Sequence, residues 1–296
     1  MSTPQVALKV DVDTYVGMRD GLPALVRALE RRRLRASFFV ACGPDHSGRA
    51  IRRVLSPGFL AKMRRTKAPA MYGWRTILYG TLLPGPQIAR SFPGHLRALL
   101  DAGHELGVHG YDHVYWHDRL ARLPDAAVRA ELERGLDTYR EVVGAAAESF
   151  AAPGWQCTAA SLAAIDDAGL RYHSCTRGTS PYRPACSGRV FRTVEIPTTW
   201  PTLDEIYGLE GTGTAALDRY YLSLLRPGLN VHTIHTEAEG MSMLPLFESL
   251  LDALLPHATF VRLGDVAAQL DPSSLPVCEV RPGVLRGRAG TVAVQD

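Results

Sequence analysis

No stretch of the chain approaches the ~18 uninterrupted apolar residues that cross a bilayer, and no Gly/Ser-rich or Pro-rich linker divides it. The N-terminal residues lack a basic start followed by a long apolar run, so a secretory signal is not expected. Cysteine is sparse: Cys42, Cys157, Cys175, Cys186 and Cys278 form an odd, widely spaced set without a Cys-x-x-Cys pair. That excludes a zinc ribbon and a disulfide framework and points to reduced thiols in a cytosolic protein. Acid is missing locally, because no Asp or Glu lies between His46 and Leu100, where ten Lys and Arg side chains stand. The overall charge of +3 therefore hides a basic segment on an acidic body.

What is present fits one large α/β domain. At 296 residues, 46% hydrophobic and 21% charged, the chain can bury a sizeable core. Apolar and turn patterns predict strands over residues 5–10, 36–41, 104–108, 148–152, 170–174, 192–196, 229–234 and 259–262. Helical patterns fill about 21–33, 92–102, 125–143, 158–168, 214–225 and 244–255. Alternation of this kind predicts parallel strands joined by crossover helices. The expected unit is a single domain over residues 1–296, with a basic and apolar insert at about 46–91.

The first strand ends in Val-Asp11-Val-Asp13, and a later one in His109-Gly-Tyr-Asp-His113. A carboxylate and two imidazoles on neighbouring strand ends can hold a metal and leave positions open, as hydrolytic centres do. Each feature has an ordinary reading. Asp-x-Asp after a strand is often a turn or helix cap, and a lone His beside apolar residues, such as His235, is usually a hydrogen-bonded core residue. His109 and His113 stand at i, i+4, but Gly110 and the preceding strand favour a loop. Asp11, Asp13, His109, Ala151, Pro153 and His235 all fall at or after strand ends, where a β/α barrel collects its chemistry.

Val-Asp11-Val-Asp13, His109-x-x-x-His113, Ala151-Ala-Pro153-Gly-Trp155 and Thr-Ile-His235 resemble, in order and interval, the NodB-type polysaccharide deacetylases, carbohydrate esterase family 4. Longer stretches are similar to the branch that deformylates 4-deoxy-4-formamido-L-arabinose on undecaprenyl phosphate. They include Asp11 to Pro23, Tyr72-Gly-Trp74, Tyr182-Arg-Pro184, Ile196 to Thr202 and His232 to Gly240. The resemblance implies a distorted (β/α) barrel and a metal-dependent amidohydrolase, with Asp13, His109 and His113 on one divalent ion, Asp11 as general base and His235 as general acid. Zinc suits such a ligand set, with cobalt, manganese or iron as alternatives. The implied reaction gives formate and the amino-arabinose lipid used to modify lipid A, a change associated with polymyxin resistance. Two other readings are a deacetylase of another N-acylated sugar and a non-catalytic lipid-phosphate-binding module.

One position departs from the family. Where many members carry an arginine that orients the catalytic aspartate, this chain has Ala151. Asp11 then needs another partner, and Arg19, in the same strand-to-helix loop, could bind either Asp11 or a substrate phosphate. Tyr15 and Trp155 are expected to wall the sugar pocket. A polyprenyl substrate stays in the bilayer, so the basic insert, with Arg52, Arg53, Arg64, Arg65 and Trp74, is expected to dock on the anionic cytoplasmic face of the inner membrane. The bland alternative is a solvated basic face. No nucleic-acid partner is expected.

Overall fold

The computed structural model describes residues 3–49 and 78–296. Its strands are β1 (Gln5–Val12), β2 (Ser37–Val40), β3 (Glu105–Val108), β4 (Ser149–Phe150), β5 (Tyr172–His173), β6 (Arg183–Cys186), β7 (Arg189–Val190), β8 (Val194–Glu195), β9 (Leu229–His235), β10 (Thr259–Val261), β11 (Val277–Val284) and β12 (Thr291–Gln295). All eight predicted strands lie in one parallel sheet, in which β1 is central and buried along all but its first residue. Strands covered on both faces are apolar almost throughout, as Val6 to Val12 nearly is. One edge of β1 pairs with β9 from Gln5↔Leu229 to Asp11↔His235. The other edge meets β10 at Gln5 to Ala7 and β2 at Lys9 to Val12. From β2 the ladder continues through β3, β4 and β5 to β8.

Between β8 and β9 there is no strand ladder among the described residues. Thr199 and Trp200 bridge the gap by donating their backbone N–H groups to the Val231 carbonyl, each at 3.1 Å. Val231 returns its N–H to Thr199 Oγ1 at 2.9 Å. The sheet thus curls into the expected distorted barrel, with an irregular seam.

Helices at Leu22–Arg31, Pro93–Asp101, Asp125–Val143, Ala159–Asp167, Thr214–Leu224 and Leu244–Leu254 match the predicted six. The longest stops at Gly144, whose left-handed φ of 84° lets its N–H bond the Arg140 carbonyl. Unpredicted are helices at Ile88–Ser91, His113–Arg119, Leu203–Ile206 and Leu263–Gln269, and a second, four-stranded sheet in the order β12-β11-β6-β7. Along β11 only Val280 is fully enclosed and Pro282-Gly283 interrupts the pattern, while β12 buries Val292 and Ala293.

The barrel also encloses neutral histidines. His104, just ahead of β3, is 3% exposed and accepts the Ala36 N–H on Nδ1 at 3.1 Å. Burial, with Arg35 and Arg262 nearby, lowers its pKa to about 4. A depressed histidine pKa contributes stability above the unfolded value of ~6.5 and loses it as pH falls towards the folded value. Between pH 7 and 5, His104 should cost the fold about 2 kcal/mol. His104→Gln keeps an acceptor but does not titrate, so urea unfolding at the two pH values should show a loss smaller by that amount. An equal loss in both proteins would contradict this account.

Candidate active site

The strand register brings the sequence-predicted groups together. Asp11 pairs with His235 across β1 and β9, and Asp13 follows one residue beyond the end of β1. His109 follows β3, and its N–H bonds the Val40 carbonyl at 2.8 Å. His109 Nε2 lies 3.2 Å from Asp13 Oδ1, and His113 Nε2 lies 3.3 Å from Asp13 Oδ2. Ligand atoms of the three side chains fall within 4.8 Å of one another.

Local structure explains why. Gly110 turns the chain with a φ of 76°, so the step after His109 is a loop as expected. His113, however, is the first residue of a helix, not part of that loop. Asp112 caps this helix by accepting the Tyr115 N–H at 3.0 Å, and its other oxygen meets His46 Nδ1 at 2.6 Å. A cap of this kind fixes where the first helical side chain starts. Behind His109, Nδ1 bonds the Ala151 carbonyl at 2.9 Å. A carbonyl only accepts, so Nδ1 carries a proton and Nε2 is the nitrogen turned towards Asp13, the orientation that metal-ligating imidazoles take.

Asp13 shows the electrostatic character of the cluster. Burial opposes its ionisation, but His113, His109 and His235 outweigh burial and hold its carboxyl well below the usual range. Its Oδ1 has no hydrogen-bond partner. An unpartnered carboxylate oxygen beside two imidazole nitrogens is a donor set that fits a divalent cation.

Sequence reasoning missed three further groups. Lys9, two residues before Asp11 on β1, is fully buried and donates from Nζ to Asp11 Oδ2 at 2.5 Å. Glu239 accepts the His235 N–H at 2.8 Å, and burial raises its pKa to about 7. Glu237 is 3% exposed, and burial followed by repulsion from Asp13 pushes its carboxyl well above the usual range. The alternation of side chains on a strand puts residues 9 and 11 on one face, a signal available from the sequence.

The remaining expectations divide. Arg19 does not reach Asp11; it forms a two-pronged pair with Asp20 at 2.8 and 2.6 Å and is about half exposed. Tyr15 packs on Phe92 at 4.9 Å and donates its N–H to Asp45 at 2.8 Å. Trp155 is buried, donates to Thr198 Oγ1 at 3.1 Å and meets His235 edge-on at 6.4 Å. Lys9, Arg177 and Arg288 all lie within 5.4 Å of its ring centroid. Arg52, Arg53, Arg64, Arg65 and Trp74 lie outside the described residues. The cysteines are unbridged, and burial pushes the Cys42 thiol up to about 12, as suits a packing residue.

A second cluster, His173, Cys175 and Glu195, is fully buried. Its carboxylate already accepts the Cys175 and Thr176 N–H groups and the Thr176 hydroxyl and lies against His173, so the carboxylate has its partners, whereas the two His173 ring nitrogens have no hydrogen bond.

One carboxylate and two imidazoles gathered at one mouth of a parallel barrel, too few to fill a metal's coordination, form the arrangement of hydrolytic metal centres. Residues 1–173 match the polysaccharide deacetylase family model, and the chain belongs to that family. It is 39% identical over 248 residues to a Shewanella sediminis protein named "Probable 4-deoxy-4-formamido-L-arabinose-phosphoundecaprenol deformylase", covering 83% of this chain and 80% of that protein. A Wigglesworthia glossinidia brevipalpis protein of the same name is 27% identical, covering 95% and 99%. Among solved structures, a "putative polysaccharide deacetylase" from Mycobacterium smegmatis has the same fold, with a TM-score of 0.64 at 21% identity over 96% of each chain.

Proposed function

We propose that the protein is a metal-dependent deformylase acting on 4-deoxy-4-formamido-L-arabinose linked to undecaprenyl phosphate. The observation that carries the chemistry is the convergence of Asp13, His109 and His113, with Asp11 and His235 beside them. The substrate class follows from the names of the two relatives. Asp13, His109 and His113 would hold the ion, most simply zinc. When bound, a divalent ion supplies a lowered water pKa and polarisation of the formyl oxygen.

The protein's own groups handle the protons. Asp11 takes a proton from the attacking water, and its unpartnered Oδ1 is the oxygen available for it. His235 donates a proton to the sugar nitrogen as the C–N bond breaks, with Glu239 holding its backbone N–H. The balance is one water consumed, with formate and the free amine released. Trp155, edge-on to His235, and Tyr15 are assigned to the sugar, and the half-exposed Arg19 to the phosphate.

Purified zinc-loaded protein should release formate from the lipid-linked formamido sugar, and acetate from the acetamido analogue more slowly. Formyl and acetyl differ by one methyl, a discrimination of only ~1–3 kcal/mol in an apolar pocket. Asp11→Asn and His235→Ala should keep bound zinc but lose about 10²-fold or more in single-turnover rate. Faster acetate release would shift the assignment to an N-acetyl sugar, and losses below about tenfold would contradict the acid and base roles.

The same substrate calls for a membrane-docking element, and we assign it to the insert at about residues 46–91. Support comes from its described ends: Pro44 bridges Gln87, and His46 contacts the Asp112 cap beside His113. Leu82, at the described end, is 82% exposed. No helix among the described residues is long and apolar enough to cross a membrane. Basic side chains contribute up to ~1 kcal/mol each near an anionic leaflet, screened by salt, while apolar insertion is not. Charge reversal at Arg52, Arg53, Arg64 and Arg65 should move the protein from anionic liposomes to the supernatant and slow the lipid-linked substrate more than a short-chain analogue. Unchanged sedimentation would mean an ordinary solvated face.

A further inference from the structure

A fully buried lysine needs a reason, because desolvating an ammonium costs several kcal/mol unless a counter-charge and polarisable surfaces replace water. Lys9 has both. Its Nζ reaches Asp11 Oδ2 at 2.5 Å and lies 5.6 and 5.4 Å from the Phe39 and Trp155 ring centroids. Asp11 is 3% exposed, and its other oxygen, Oδ1, accepts no hydrogen bond. One oxygen is therefore anchored and the other is left for the reaction. Among the described residues the other candidates are engaged or farther off: Ala151 has only its carbonyl, which His109 occupies, Arg19 is held by Asp20, and His109 Nε2 stands 3.9 Å from Asp11 Oδ2.

We infer that Lys9 is the positioning residue for Asp11, fixing the carboxylate plane so that Oδ1 meets the attacking water. This rests on the reading of Asp11 as general base. Lys9 hydrogen-bonds Asp11 and packs on the Phe39 and Trp155 rings, so its route to the reaction is through the Asp11 carboxylate. The anchor comes from β1 itself, two residues back on the same face, so its geometry is set by one strand rather than by packing between two.

The test compares zinc-loaded wild type with Lys9→Met, Lys9→Arg, Asp11→Asn and the Lys9→Met/Asp11→Asn double variant. Lys9→Met should lower kcat by about 10²-fold while KM and zinc content stay within about threefold, and Lys9→Arg should recover at least about tenfold of that loss. In the Asp11→Asn background, Lys9→Met should change kcat by less than about threefold, since the group it positions is already gone. Equal losses in both backgrounds, or a Lys9→Met enzyme within about threefold of wild type, would overturn the inference. Should Lys9→Met fail to fold, the double variant, which leaves no unpaired buried carboxylate, decides: activity matching Asp11→Asn supports the role, and a further loss of about tenfold opposes it. Crystal structures give a readout independent of substrate. The Asp11 carboxylate should rotate in a zinc-loaded variant lacking the ammonium, and an unmoved carboxylate overturns the positioning role whether or not any formamide is hydrolysed. A wild-type protein that releases no formate counts against the deformylase reading alone.

Discussion

The register of β1 against β9 is the constraint on which the site depends. Pairing from Gln5↔Leu229 through Asp11↔His235 sets the proposed base and acid side by side at one barrel mouth, although the residues are far apart in sequence. The same strand aligns with β2 at Asp11↔Phe39, and β2 with β3 at Val40↔Val108, so His109 emerges level with Asp13. A slip of one residue in β1 would turn Lys9 and Asp11 to the opposite face and empty the site. Burial along nearly the whole of β1 opposes such a slip, because each strand position has a distinct apolar or paired environment.

Charge balance is the second organising feature. Asp11, Asp13, Glu237 and Glu239 crowd one mouth, and burial or mutual repulsion already pushes Glu237 and Glu239 above the usual carboxylate range. Lys9 offsets Asp11, and the histidines offset Asp13. A divalent cation would complete that balance, and its field would favour ionised carboxylates nearby. Trp155 ties this centre to the second sheet, because Arg288, from the loop between β11 and β12, lies over the ring and bonds the Gly154 carbonyl at 3.2 Å. The small sheet thus buttresses the turn after β4, over a small apolar cluster of Leu162, Tyr182, Phe191, Val280 and Ala293.

The barrel was legible because its strands are buried on both faces and its helices are amphipathic and capped, as at Thr158 and Gly144. The candidate ligand set was legible because Asp13 and His109 follow strand ends and His113 stands four residues on, all in recognisable motifs. Less visible was anything governed by tertiary partners. The helix at His113 depends on Asp112 as its cap, a side chain that also reads as part of a polar loop. The second sheet carries too few enclosed apolar residues to show a strand period. Lys9 stands in an apolar run, and the Asp11 carboxylate together with the enclosing Phe39 and Trp155 rings makes a buried ammonium tenable there. Arg19 was a reasonable partner for Asp11 by proximity in sequence, but the turn over Gly17–Gly21 directs it to Asp20.

Zinc-edge anomalous diffraction from crystals of the zinc-loaded protein tests the central claim most directly. The account predicts one strong peak bonded to Asp13, His109 and His113 at about 2.0–2.2 Å, with Asp11 adjacent and unbound. No peak there, or a peak only at His173, Cys175 and Glu195, would contradict it.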